Sequence, residues 1–348
     1  MRIKKISIAG CALSIFLLVG CRVEDPLVRQ SMDELAPDDI TYPSPTDTIS
    51  YRSSPTRLLD VYPAQGDNPS RIAVLYAHGG GWVENDRTEA ATNRIFRHLL
   101  EEGYVGFSID YTLARELGVS GAPDDCAGTE SPFPDNLHDL QWAIGWANQP
   151  VNKALYKYDR VVVVGESAGG FLAGLAAVKS DQRPAGMPTA YVIRPDAAVT
   201  LVAPMHMKTW GSQGDGGADG FANWVVAFTN YIHEKLGGTG DYNPLQCLYG
   251  WQYTTTNSVP LATREAATAS EYVDAGDPPI YMVSGTDDML ALSEHNADLL
   301  EQEYANKGFN GRAWNDRAEG GFHNAGRLNT NAVVLRLFLN KLANGDFD

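Results

Sequence analysis

The sequence lacks the motifs that would bind a metal or a nucleotide. It contains no C-x-x-C pair, no H-E-x-x-H pair and no glycine-rich phosphate loop, so we expect no cofactor and no metal. Positive charge is also scarce, with 27 Lys and Arg against 43 Asp and Glu and a formal net charge of −16. Such a surface repels nucleic acid and anionic membrane, so neither is expected as a direct partner.

Long apolar stretches are scarce outside the N-terminus. There, three basic residues precede an apolar segment that is too short and wrongly flanked to span a membrane (Arg2, Lys4, Lys5). This pattern is typical of a secretory signal peptide, predicted here over residues 1–20. The following stretch, 21–50, holds four prolines without clear periodicity and is predicted to be a polar tether.

Leu18-Val19-Gly20-Cys21 resembles the bacterial lipobox. The resemblance implies that Cys21 receives lipid and becomes the mature N-terminus, with plain secretion as the alternative. Arg22 takes the place of the acidic residue that often retains such proteins at the inner membrane. We therefore expect an exported protein of the cell envelope, held to the membrane through lipid alone. The outer membrane is favoured, and either the periplasmic side or the cell surface is allowed.

The rest of the chain alternates between short apolar runs and segments with helical spacing. This alternation predicts one α/β domain over residues 51–348, with a mostly parallel sheet covered by helices on both faces. The alternation lapses within 205–270, which we interpret as a cap-like insertion over the active site. Strands are predicted at 58–62, 72–77, 104–109, 161–164, 197–202 and 280–283, and helices at 88–102, 136–148, 168–179, 292–306 and 331–342.

Residues 165–169 read Gly-Glu-Ser-Ala-Gly and match G-x-S-x-G, with an apolar strand before them and a helix after them. Small residues are needed there because the turn is tight, and the turn presents the serine hydroxyl at the head of a helix. Ser167 is therefore the candidate nucleophile. Glu166 is expected to pack or hydrogen-bond behind the turn, without a catalytic role.

The second motif is HGGGW at residues 78–82, directly after the second predicted strand. Together with GESAGG, it resembles the hormone-sensitive-lipase-like and bacterial feruloyl-esterase-like branches of the α/β-hydrolases. The resemblance covers most of residues 58–342 and implies an oxyanion hole formed by the backbone N–H groups of Gly80, Gly81 and Ala168. It also implies a structural role for His78.

The chain order Ser…Asp/Glu…His of this fold selects the other two catalytic candidates. Asp288 follows a predicted strand at the G-x-x-D position of the family, and Asp287 is the alternative. Among the histidines beyond it, His323 lies in a glycine-flanked loop, whereas His295 lies on a predicted helix. A base must reach Ser167 from a loop above the sheet, so His323 is favoured.

Two insertions depart from the family pattern, at 116–131 and 205–270. Each carries one cysteine, Cys126 and Cys247, and export favours a disulfide between them, which would bring the insertions together above Ser167.

These features predict a serine hydrolase that cleaves carboxylic esters through an acyl-enzyme on Ser167. The expected substrate is a small-molecule or polysaccharide-linked ester. The alternatives are an amidase or peptidase of the same fold, and a surface-anchored binding protein that has lost activity.

Overall fold

A computed structural model describes residues 43–65, 70–114, 131–210, 229, 244–250, 256–288, 290–318, 323 and 332–347. The signal peptide, Cys21, most of the predicted tether and Cys126 lie outside these residues. Within the described part of the chain, no helix is both long and apolar enough to span a bilayer.

The described residues contain eight strands joined in one sheet. Along the chain they are β1 (Asp47–Ser53), β2 (Thr56–Tyr62), β3 (Ile72–Ala77), β4 (Val105–Ile109), β5 (Arg160–Glu166), β6 (Ala197–Leu201), β7 (Ile280–Gly285) and β8 (Ala313–Ala318). Their order across the sheet is β1-β2-β4-β3-β5-β6-β7-β8. The pairs β1–β2 and β2–β4 are antiparallel, and all the others are parallel.

Helices alternate with the parallel strands, as predicted. They are α1 (Arg94–Glu101), α2 (Asp135–Ala147), α3 (Pro150–Tyr156), α4 (Ala168–Val178), α5 (Pro244–Tyr249), α6 (Leu261–Ala266), α7 (Ala297–Asn306) and α8 (Ala332–Asn344). Short 3-10 turns occur at Arg87–Ala91, Thr256–Ser258, Ala269–Tyr272 and Ser293–His295.

The sheet is buried on both faces, as the continuous valine run of β5 predicts. Val161 and Val163 belong to one apolar cluster, and Val162 and Val164 belong to the other. Because side chains alternate along a strand, the two clusters lie on opposite faces. Buried residues of α2, α4 and α7 complete the first cluster, and those of α1 and α8 complete the second.

Several boundaries differ from the sequence prediction. The tether was predicted to extend to residue 50, but β1 already begins at Asp47, because its register partners on β2 start there. The single helix predicted over 88–102 is a 3-10 turn followed by α1, because the Asn93 side chain caps α1 by accepting from the Phe96 N–H. Among the described helices and strands outside the 205–270 insertion, three escaped prediction, namely β1, α3 and the half-buried edge strand β8.

The helix predicted over 292–306 is also divided, at Asn296. That residue has φ −132° and ψ −85°, and its buried side chain accepts hydrogen bonds from the N–H groups of Met205 and His206 at 3.0 and 3.2 Å. Because its side chain is held by the segment after β6, Asn296 keeps a non-helical backbone, and the helix is interrupted there. His295 therefore lies in a 3-10 turn, where it contacts Glu294.

The described part of the 205–270 insertion consists of residues 205–210, 229, 244–250 and 256–270. Cys247, in α5, is fully buried and disulfide-bonded. Because Cys126 is outside the described residues, its pairing with Cys247 stays a prediction.

Candidate active site

Ser167 occupies the sharp turn between β5 and α4. Its backbone has φ +51° and ψ −115°, a strained combination for a residue with a side chain. A β-carbon on Gly169 would overlap the carbonyl oxygens of Ala77 and His78, and one on Gly165 would overlap the Gly169 carbonyl. The motif therefore needs glycine at both positions, because backbone from three segments meets beneath the serine.

The Ser167 hydroxyl contacts His323. The distance from Ser167 Oγ to His323 Nε2 is 2.7 Å, and His323 Nδ1 lies 2.9 Å from each carboxylate oxygen of Asp288. A carboxylate facing Nδ1 favours the tautomer that carries its proton there, which leaves Nε2 free to accept the serine proton. The structure thus brings together the three residues predicted as nucleophile, base and acid.

Asp288 is fully buried, and backbone groups hold it in place. Its Oδ1 accepts hydrogen bonds from the N–H groups of Leu290 and Ala291 at 2.9 and 3.0 Å. The alternative acid, Asp287, is exposed and accepts a hydrogen bond from the Thr286 hydroxyl. The geometry therefore favours Asp288 as the residue that orients His323.

The glycine loop follows β3 and lies beside the serine turn. Gly80 and Gly81 have φ values of +105° and +60°. A β-carbon on Gly80 would overlap the carbonyl oxygen of Glu84, and the Glu84 N–H closes the loop by donating to the Gly80 carbonyl at 3.1 Å. Within the described part of the chain, neither the Gly80 nor the Gly81 N–H donates a hydrogen bond. Ala168 is the first residue of α4, where backbone N–H groups have no intrahelical acceptor.

His78 is fully buried and stabilises the glycine loop. Its Nδ1 lies 2.7 Å from the Gly79 carbonyl oxygen, and its ring stacks on Tyr111 at 4.3 Å between centroids. The Tyr111 hydroxyl in turn donates to the His78 carbonyl at 2.8 Å. These contacts are those of a residue that orients the loop.

Two further side chains support this region and escaped the sequence analysis. Glu89, in a 3-10 turn, accepts a hydrogen bond from the Gly79 N–H at 3.2 Å. Asn93, the cap of α1, donates to Glu166 Oε2 at 2.7 Å, which places Glu166 behind the serine turn. Their signal in the sequence is weak, because contacts between distant segments leave no local pattern.

The strand order, the helices on both faces and the strand–turn–helix around Ser167 define an α/β-hydrolase fold. The sequence model of the BD-FAE family matches residues 59–303. The chain belongs to the BD-FAE family.

Several known proteins are similar in sequence to part of this chain. It is 33% identical over 108 residues to kynurenine formamidase avaC of Aspergillus versicolor, a match that covers 31% of this chain and 36% of that protein. It is 29% identical over 135 residues to esterase LipC of Mycobacterium tuberculosis, covering 38% of this chain and 30% of that protein. The chain thus matches about a third of the length of these curated relatives.

Solved structures share the fold over most of the chain. A truncated carbohydrate esterase from gut microbiota has a TM-score of 0.63 at 18% identity, covering 87% of this chain and 100% of that one. Esterase 2 of Thermogutta terrifontis, bound to propionate, has a TM-score of 0.58 at 18% identity, covering 85% of this chain and 94% of that one. At this identity the likeness concerns the fold alone.

Proposed function

We propose that the protein is a serine hydrolase that cleaves carboxylic esters through an acyl-enzyme on Ser167. The observation that carries this proposal is the continuous chain of contacts from Ser167 through His323 to Asp288 beside the glycine loop. Family membership and a relative named as an esterase support the same reaction class.

In this mechanism His323 Nε2 takes the Ser167 proton while Oγ attacks the ester carbonyl carbon. Asp288 holds the imidazole and stabilises the imidazolium that forms. The N–H groups of Gly80, Gly81 and Ala168 face the negative charge on the carbonyl oxygen, and each such donor contributes about 3–4 kcal/mol to transition-state stabilisation. His323 then protonates the leaving alcohol, and water repeats the sequence to release the acid.

The test is Ser167→Ala, assayed on activated esters of short acyl chains. We expect kcat to fall by about a million-fold, because the members of such a triad act as one unit. The matched control is Ser108→Ala, which removes another buried serine hydroxyl, one without a hydrogen-bond partner among the described residues. Equal activity of the Ser167→Ala protein and the wild type would end the proposal. A wild type that hydrolyses no ester would instead support the inactive binding protein.

Amide hydrolysis is the second candidate, and the relative named as a formamidase favours it. An ester and an anilide with the same acyl group separate the two reactions, because only the leaving group differs. We expect kcat/KM for the ester to exceed that for the anilide. A preference for the anilide would replace the esterase proposal by an amidase.

The proposed substrate is a small-molecule ester or an ester group on a polysaccharide. One structural neighbour is described as a carbohydrate esterase, which is consistent with the second option. A panel of acetylated-sugar esters, feruloyl esters and alkyl esters of increasing acyl length distinguishes these classes by kcat/KM.

A further inference from the structure

Trp210 lies between the loop that carries Asp288 and the glycine loop. Its side chain is buried, with 3% exposure. Its indole Nε1–H donates a hydrogen bond to the Leu290 carbonyl oxygen at 2.7 Å. The same ring packs edge-on against Trp82 at 5.6 Å between centroids and an interplanar angle of 85°.

The hydrogen bond to the Leu290 carbonyl connects Trp210 with Asp288, the proposed catalytic acid. The Leu290 carbonyl and the Ala291 N–H belong to one peptide group, which is planar. That N–H donates to Asp288 Oδ1 at 3.0 Å. Fixing the direction of the carbonyl therefore fixes the direction of the N–H, so the indole of Trp210 orients the Asp288 carboxylate through one rigid unit.

The contact between the rings of Trp210 and Trp82 connects Trp210 with the glycine loop. Trp82 follows Gly81 directly and has φ +63°, an unfavourable value for a residue with a side chain. It is held between Trp210 and Phe171 of α4, which it meets edge-on at 5.4 Å. Trp210 therefore packs against the end of the glycine loop and also donates a hydrogen bond to the loop that carries Asp288.

A second link keeps these segments in register. The Asn296 side chain accepts from the N–H groups of Met205 and His206, and it donates to the Leu292 carbonyl at 3.0 Å. The side chains of Trp210 and Asn296 thus both connect the segment after β6 to the segment that follows Asp288. The hydrogen bond from Trp210 reaches the peptide group that binds Asp288.

We propose that Trp210 is a positioning residue of the active site, which orients Asp288 through the Leu290–Ala291 peptide group and holds the glycine loop in register with it. This proposal rests on the proposed function for the identity of the reaction. A misplacement of about 1 Å in such a site costs about 100-fold in rate, so a single indole hydrogen bond can control turnover.

The test is Trp210→Phe, which keeps an aromatic ring and removes the N–H donor. We expect kcat to fall by about 10- to 100-fold with KM within about twofold of the wild type, because substrate binding is untouched while the acid is displaced. Trp314→Phe is the matched control, because it removes an indole hydrogen bond of the same length, 2.7 Å to the Gly311 carbonyl, from the edge strand β8. Its kcat should stay within about twofold of the wild type.

Two additions keep this result decisive. If Trp210→Phe does not fold, benzothienylalanine at position 210 preserves the bicyclic shape and still lacks the donor. The rate at which a fluorophosphonate labels Ser167, read by mass spectrometry, reports the activation of the serine without ester turnover, and it should fall in parallel with kcat.

The outcomes separate this inference from the proposed function. A wild type that is labelled but hydrolyses no ester, with slower labelling after Trp210→Phe, removes the esterase and supports the positioning role. A variant at position 210 with kcat and labelling within about twofold of the wild type overturns the positioning role. An equal loss in Trp314→Phe overturns it as well, and a wild type that is neither labelled nor active removes both proposals.

Discussion

At the scale of single residues, the site combines backbone strain with burial. Ser167 is only 6% exposed and holds a positive φ, and Asp288 is fully buried against His323. A strained residue persists only where its surroundings over-determine it, and here closely packed glycines and the Leu201 carbonyl do so. The arrangement holds the serine hydroxyl at His323 before any substrate binds.

Asp288→Asn tests the identity of the acid. We expect kcat for ester hydrolysis to fall by about 10⁴-fold, because an amide facing Nδ1 favours the tautomer that cannot accept the serine proton. The matched control is Asp287→Asn, the exposed neighbour, which should retain nearly full activity. Greater damage from Asp287→Asn would show that the acid is Asp287.

Asp277 gives a pH dependence that is independent of the active site. It lies just before β7 and is 2% exposed, and burial raises the pKa of its carboxyl group to about 7. An unfolded Asp has a pKa near 3.9, so between about pH 4 and 7 the folded state holds a proton that the unfolded state has lost. The free energy of unfolding therefore falls as the pH rises through this range.

Asp277→Asn should remove this fall in the free energy of unfolding at higher pH. At pH 8 we expect its free energy of unfolding to exceed the wild-type value by about 2 kcal/mol, which is less than the full pKa displacement would give, and to match it near pH 3.5. Denaturant titrations at both pH values measure the difference. Asp274→Asn, in the same turn but exposed, should give a smaller gain, because burial raises the pKa of Asp277 more than the charge of Asp274 does. Equal behaviour of the two variants would contradict this account.

At the scale of elements, one buried carboxylate fastens the antiparallel edge of the sheet. Asp139 of α2 accepts from Arg52 of β1 and from Arg57 of β2, the latter at 2.8 Å. The N–H and hydroxyl of Thr112 donate to the same carboxylate at 2.9 and 2.6 Å. The β1–β2 hairpin is thus tied to α2 and to the segment after β4.

Asp139→Ala should lower the free energy of unfolding by about 3–5 kcal/mol, because it leaves two largely buried guanidinium groups without their carboxylate. Chemical denaturation gives this value. Asp159→Ala is the control, because its ion pair with Arg71 is exposed, and we expect no measurable change. A small effect at Asp139 would mean that the hairpin is held by apolar packing alone.

At the scale of the whole molecule, the proposed lipid on Cys21 decides where the protein resides. Leu18-Val19-Gly20-Cys21 resembles the bacterial lipobox, and the net charge of −16 opposes adhesion to an anionic surface. Lipid on Cys21 would supply the affinity that the protein surface lacks, at about 0.8 kcal/mol for each buried methylene. We therefore propose a lipid-anchored protein of the cell envelope.

Cys21→Ser should move the protein from the detergent phase to the aqueous phase, or block its processing, because no thiol is left to accept lipid. Detergent partition followed by immunoblotting of the exporting cells measures this shift. Cys11→Ser, within the predicted signal peptide, should leave the partition unchanged. Wild-type protein found wholly in the aqueous phase would remove the lipid anchor.

The amino-acid sequence determined the elements whose signal is local. The continuous valines of β5, the helical spacing of α2, the small residues of α4 and the G-x-S-x-G turn between β5 and α4 follow from side-chain size and periodicity within a few residues. The chain order of the hydrolase fold then selected Asp288 and His323. The structure places both against Ser167.

Tertiary structure decided what depends on distant segments. β8 escaped prediction because an edge strand is half-buried and mostly polar, and the break at Asn296 arises from backbone groups 90 and 91 residues away. Only folding brings Trp210 to the Leu290 carbonyl, 80 residues along the chain. Local periodicity reports which face of an element is buried, whereas the partner that meets a polar side chain is fixed by topology.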